Sequence, residues 1–126
     1  MADILVIEDN LDNMLMMKRW LSSMNCNTQE ALTGMAGIAA AHKNLPSIIL
    51  LDINLPDIDG YEVISNLKSS ADTKNIPVIA ITSNAMQGDE DKAKRAGFDD
   101  YMSKPVNFSS LISKMSSLGV YVSYKS

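Results

Sequence analysis

The run Ile48-Ile49-Leu50-Leu51-Asp52-Ile53-Asn54-Leu55-Pro56 decides the fold. Four apolar residues lead into one carboxylate, and Pro56, Asp57, Asp59 and Gly60 then end the strand. A strand with one wet face alternates apolar and polar residues. An unbroken apolar run instead fits a strand covered on both faces, as in a parallel sheet. Asp52 then falls where the strand surfaces at its carboxyl end, the edge at which open α/β sheets bind their ligands. A lone aspartate in that place is more often a turn or cap residue than a nucleophile. Its meaning depends on what the other strands bring beside it.

The same unit recurs on both sides of this run. Ile4 to Ile7 is a short apolar strand ending in Glu8-Asp9-Asn10. Asn10 can cap a helix with apolar positions at Leu11, Met14, Leu15, Met17, Leu21 and Met24, while Lys18 and Arg19 lie on its polar side. The methionines read as core filler and Trp20 as a partly buried aromatic. Residues 27–32 form a weaker, polar-mixed strand that Gly34 breaks, and an alanine-rich helix follows over residues 35–44. His42 has no acid, cysteine or serine at a useful spacing and reads as an ordinary surface residue. Gly60 opens a helix that buries Val63, Ile64 and Leu67. Pro77 leads into Val78-Ile79-Ala80-Ile81, which ends in Thr82-Ser83-Asn84. A charged helix is predicted from Met86 to Ala96, with Gly97 as its terminator. A short strand over residues 99–102 precedes Ser103-Lys104-Pro105. The last helix, residues 107–118, has Phe108, Leu111, Ile112, Met115 and Leu118 at helical spacing and serines on its other face.

Five strands alternating with five helices predict a parallel sheet with right-handed crossovers. The first, third and fourth strands are apolar and belong inside the sheet; the polar-mixed second and fifth belong at its edges. This suits an α/β, doubly wound (βα)5 sheet of order 2-1-3-4-5, an order taken from the flavodoxin-like class. A chain of 126 residues, 46% hydrophobic and 21% charged, fits one domain with a real core. A net charge of −4 argues against direct nucleic-acid binding. The single cysteine, Cys26, leaves no internal disulfide and no cysteine-based metal site. The start lacks the basic flank of a signal peptide and no apolar run could span a bilayer, so a soluble cytoplasmic protein without membrane attachment is expected.

In that strand order the carboxyl ends bring together Glu8, Asp9, Asp52 and Thr82, and Lys104 arrives from the end of the fifth strand. Three carboxylates in one cleft repel each other and favour a cation. Hard oxygen donors, few of them from protein, describe magnesium, which keeps several waters and shares its shell with a phosphate. A carboxylate nucleophile, Mg2+, a hydroxyl and an ammonium are the parts that form and hold an aspartyl phosphate. Each residue alone is a weak signal; five of them, each just past a strand end on one sheet edge, outweigh the reading as separate turn residues.

The chain resembles the receiver domain of two-component response regulators across about residues 3–118. The resemblance rests on Val6-Ile7-Glu8-Asp9-Asn10, Leu51-Asp52-Ile53-Asn54-Leu55-Pro56, Asp59-Gly60, Ile79-Ala80-Ile81-Thr82, Ala96-Gly97-Phe98-Asp99-Asp100-Tyr101 and Lys104-Pro105. It implies that Asp52 accepts a phosphoryl group from a sensor histidine kinase or a histidine phosphotransfer protein, and that partner binding to a downstream protein target changes as a result. It implies direct magnesium ligation by Asp9, Asp52 and the Asn54 carbonyl, with Glu8 acting through water. Thr82 and Lys104 would contact the phosphoryl oxygens, Tyr101 would be the aromatic switch residue, and the Lys104–Pro105 bond would be cis. Residues 1–119 would be the receiver and 120–126 a tail that is dispensable for phosphorylation. The chain is similar in style to single-domain cell-cycle regulators, and it is no enzyme beyond its own phosphorylation and dephosphorylation. Receivers that dimerise through the fourth and fifth helices usually have a basic last helix; here Lys114 is its one cation, so a monomer or weak dimer is expected. Three other readings compete. A phosphorylation-independent interaction module would tolerate loss of an acid or the lysine, and none is lost. A magnesium phosphohydrolase usually has a second aspartate where Asn54 stands. A flavin-binding fold would need a Ser/Thr/Gly-rich loop in place of Glu8-Asp9-Asn10.

Overall fold

A computed structural model of the chain describes residues 2–83 and 85–123. Five strands and five helices alternate: β1 (Ala2–Ile7), α1 (Leu11–Ser23), β2 (Cys26–Ala31), α2 (Gly34–Asn44), β3 (Ile48–Asp52), α3 (Gly60–Ser69), β4 (Val78–Thr82), α4 (Asp89–Ala96), β5 (Asp100–Ser103) and α5 (Phe108–Ser117). All pairings are parallel, in the order β2-β1-β3-β4-β5. This is the flavodoxin-like order predicted above. Every residue of β3 and β4 is buried, and β2 and β5 are the half-exposed edges.

The pleat divides the core into two layers, because successive side chains of a strand point to opposite faces. Leu5, Ile7, Ile49, Leu51, Val78, Ala80 and Tyr101 pack with Ala41, Val63, Ile64, Leu67 and Ala93 of α2, α3 and α4. Ile4, Val6, Ile48, Leu50, Ile79, Ile81 and Met102 pack with Met14, Met17, Leu21, Leu111 and Met115 of α1 and α5. The same alternation carries on to the strand ends. Glu8 and Asp52 extend the rows that face α1 and α5, and Thr82 extends the row that faces α2, α3 and α4.

Several local expectations shift. Met14, Met17, Leu21 and Met24 are buried as the periodicity requires, but Leu11 is 67% exposed and Leu15 45%. Leu11 lies in the first turn of α1, beyond the last residue of β1, and Leu15 is rotated about 100° from Met14 around the helix axis. The fourth helix starts at Asp89, not Met86. The Asp89 carboxylate accepts the Met86 N–H at 2.8 Å, and Met86 O accepts the Asp89 N–H at 3.0 Å, which folds this stretch into a turn. Gly97 ends α4 at φ +117°, donating to Ala93 O and Lys94 O. Gly34 is the first residue of α2 rather than a break after β2, and the Thr33 hydroxyl caps the helix. The edge strands are each displaced by one residue from the predicted bounds. Lys104–Pro105 is cis, as expected. Trp20 is half-buried and stacks on Phe108 with ring centroids 4.4 Å apart. In the tail, Val120 is buried and donates its N–H to Met115 O at 2.9 Å, and Val122 packs on the same apolar layer. Residues 124–126, together with Met1 and Asn84, lie outside the described residues. Among the described residues, no helix is long and apolar enough to cross a membrane.

Candidate functional site

Each strand of the sheet centre ends in a polar side chain because the apolar cover stops there. Glu8 follows β1 directly, and its N–H donates to Ala31 O at 3.0 Å, which continues the pairing with β2 by one step. Asp52 ends β3 and Thr82 ends β4. Although polar, these three are only 5%, 4% and 2% exposed. Asp9, one residue further from the strand, is exposed. Carboxylate oxygens of Glu8, Asp9 and Asp52 all lie within 4.8 Å of one another.

Lys104 reaches this group from β5. Its N–H donates to Thr82 O at 2.8 Å, which holds the backbone beside β4. Its ammonium then turns back into the cleft, 2.6 Å from Glu8 Oε1 and 3.0 Å from Asp52 Oδ2. Burial raises the Glu8 carboxyl above its usual range, against the opposing pull of Lys104 and of the Asn10 N–H. For Lys104, burial pulls the ammonium down, but the hydrogen bonds to Glu8 and Asp52 together outweigh it and hold the group above its ordinary value. Three carboxylates facing one ammonium leave the cleft short of positive charge. The donor set is all hard oxygen, so the residues present fit a small divalent cation.

Asn54 links the two halves of the cleft. Its N–H donates to Asp52 Oδ1 at 2.8 Å, and its side-chain oxygen accepts the Thr82 hydroxyl at 3.0 Å and the Ser83 N–H at 3.4 Å. Below the acidic residues a cavity of about 370 Å³ runs between Val6, Met17, Leu50, Ile81 and Val106, with Glu8, Asp52 and Lys104 at its edge. Tyr101 pairs with Ala80, and Thr82 with Ser103, so Tyr101 and Thr82 belong to the same face of the sheet. Tyr101 is already buried in this conformation, and its hydroxyl has no hydrogen-bond partner among the described residues. An inward turn of this ring on activation, which the family pattern suggests, has no outward starting point here.

Two side chains do more than their sequence context suggests. His42, expected to be an ordinary surface residue, faces Asp72 Oδ2 at 2.9 Å through Nδ1 and Asn66 Oδ1 at 3.3 Å through Nε2. The pairing spans 30 residues, so no local spacing could reveal it. Asp57, read above as a turn residue, accepts the N–H groups of Gly34 and Met35 at 2.8 and 2.9 Å.

A family model described as the response regulator receiver domain matches residues 4–116. The chain belongs to the response regulator receiver family. This receiver is 35% identical over 104 residues to the polar-differentiation response regulator DivK of Brucella ovis, covering 82% of the chain and 85% of the relative. The receiver domain of the sensor histidine kinase PA1611 from Pseudomonas aeruginosa PAO1, solved with a magnesium ion coordinated in its active-site cleft, superposes with a TM-score of 0.85. The identity is 29%, over 94% of this chain and 98% of that one. Vibrio cholerae chemotaxis protein CheY4, at 22% identity and a TM-score of 0.86 over 94% and 98% of the two chains, shares the fold. The receiver is thus a signalling domain of two-component type rather than a conventional enzyme.

Proposed function

We propose that this receiver is a cytoplasmic phosphorylation switch whose acceptor is Asp52. One observation carries the reading: three carboxylates from two adjacent strands lie within 4.8 Å, and an ammonium from a third strand holds two of them. Asp9 and Asp52, with the Asn54 carbonyl, would hold magnesium directly, and Glu8 would act through water. Bound there, the ion would offset charge that builds on the phosphoryl oxygens. The donor is a phosphohistidine of a sensor kinase or phosphotransfer protein. An Asp52 carboxylate oxygen attacks phosphorus, the P–N bond breaks, and its electron pair leaves with the imidazole. Lys104 is placed to trade a carboxylate contact for a phosphoryl oxygen. Thr82 would release Asn54 to donate to another, and Tyr101, on the same face, would sense that move. Residues 1–119 act as the receiver and 120–126 as a tail, and the downstream target is a protein.

The test uses the full chain, acetyl phosphate and a phosphate-binding gel or intact mass. Labelling is expected only with magnesium. It should vanish in Asp52→Asn and need much more magnesium in Asp9→Asn. Equal labelling of Asp52→Asn and the unaltered chain would remove the assignment.

A further inference from the structure

The loop between β3 and α3 is tied to the start of α2. Asp57 places one carboxylate oxygen on Gly34 N–H and the other on Met35 N–H, at 2.8 and 2.9 Å. Helix α2 already has a cap of its own, since the Thr33 hydroxyl accepts the Ala36 N–H at 3.1 Å. The first three amide groups of the helix are therefore all satisfied, two of them by a residue 22 or 23 positions away. The next residue of the loop seals the joint. A Cβ at Gly34 would lie 2.5 Å from Ile58 Cγ1, so only glycine lets α2 and the loop approach this closely. Three residues before Asp57 stands Asn54, at the near end of the same loop.

We propose that Asp57 is a positioning residue of the metal site, fastening the loop that presents the Asn54 carbonyl to the first turn of α2. This rests on the reading of the site given above. The clamp works by geometry: with Asp57 engaged, the segment from Asn54 to Asp57 is held between Asp52 at one end and α2 at the other. With Asp57 gone, the Asn54 carbonyl loses its fixed direction, although no metal ligand has been changed. Partners that orient a ligand typically matter about 10–100-fold in metal affinity. A clamp three residues removed belongs at the low end of that range.

The experiment is a magnesium titration of the full chain without phosphate donor, followed by the backbone amide shifts of Asp52 and Asn54. Asp57→Ala is expected to weaken magnesium binding by roughly 10-fold. Thr33→Ala removes the other cap of α2 without touching the loop and should bind magnesium as the unaltered chain does. Asp57→Asn leaves one acceptor oxygen and turns an NH2 donor toward the other N–H, so it should lose affinity as well. The loss in Asp57→Ala, being geometric, should persist in high salt. Unchanged binding in Asp57→Ala would overturn the clamp alone. An equal loss in Thr33→Ala would show helix destabilisation instead, and a loss in Asp57→Ala that disappears in high salt a charge effect; either overturns it. If the unaltered chain shows no magnesium response, the metal reading fails and takes the clamp with it.

Discussion

Asn54 touches both the Asp52 carboxylate and the Thr82 hydroxyl, and on the proposed function a phosphoryl oxygen on Asp52 would compete with it for Thr82. A neutral hydrogen bond of this kind contributes about 0.5–1.5 kcal/mol net. Removing the competitor in Asn54→Ala should therefore raise the target affinity of the unphosphorylated chain by roughly 2–10-fold. Thr82→Ala should accept phosphate yet transmit little of it. Both are read as partner affinity with and without beryllium fluoride and magnesium, and full coupling in each variant would mean that the signal leaves through another surface. His42 makes a separate, pH-dependent contribution. Its hydrogen bond to Asp72, then that to Asn66, raises its pKa above the ordinary 6.5. The folded chain thus holds this proton more tightly than the unfolded chain. The resulting stability is complete below 6.5 and is lost as pH rises through the raised folded value. Asp72 is lowered from 3.8, chiefly by His42, so its share is present above 3.8 and is lost on acidification. The urea-midpoint difference between the unaltered chain and His42→Gln should be widest between these two values and should close in alkaline buffer. Why the polar cluster at the sheet edge was legible in the sequence and this clasp was not is physical. Glu8, Asp52 and Thr82 each end an apolar run, so strand order alone makes them neighbours. His42 and Asp57 find partners on other elements, through packing that no periodicity encodes.

Among the helices, α4 is held least by packing. It has eight residues, Ala93 alone of them is buried, and its N-cap, Gly88, offers no side-chain hydrogen bond. Its own charges compensate: Asp89, Glu90 and Asp91 occupy the first turn and Lys94 and Arg95 the last, each favourable to the helix dipole. Such an element belongs at the low end of local stability. Its amides should exchange at least about 10-fold faster than those in the centres of α1 and α3, and about 1 M salt should widen that gap by screening the terminal charges. Uniform exchange across the helices would contradict this account. Residues 86–88 are compatible with helical periodicity, so the sequence alone predicts a helix longer than the observed Asp89–Ala96. The Met86–Asp89 turn that excludes them is a pair of hydrogen bonds, invisible to a hydropathy pattern. The buried runs of β3 and β4 were unambiguous for the opposite reason, since continuous apolar character on both faces admits one placement.

Across the whole molecule, two apolar layers share one sheet, and three carboxylates, Glu8, Asp9 and Asp52, are concentrated at its carboxyl edge. That concentration has a thermal consequence. Like charges set this close oppose the folded state, so the metal-free chain should be less heat-resistant than its core would allow. Asp9→Asn should melt a few degrees higher than the unaltered chain in chelator, read by calorimetry. Magnesium at ten times its dissociation constant should stabilise the unaltered chain by about 1.4 kcal/mol. That corresponds to roughly 3–6 °C for a domain of this size. Asp9→Asn should gain much less. A melting curve would then report how fully the cleft is loaded. Selection for heat resistance alone would tend to discard Asp9, an acid that the proposed function requires.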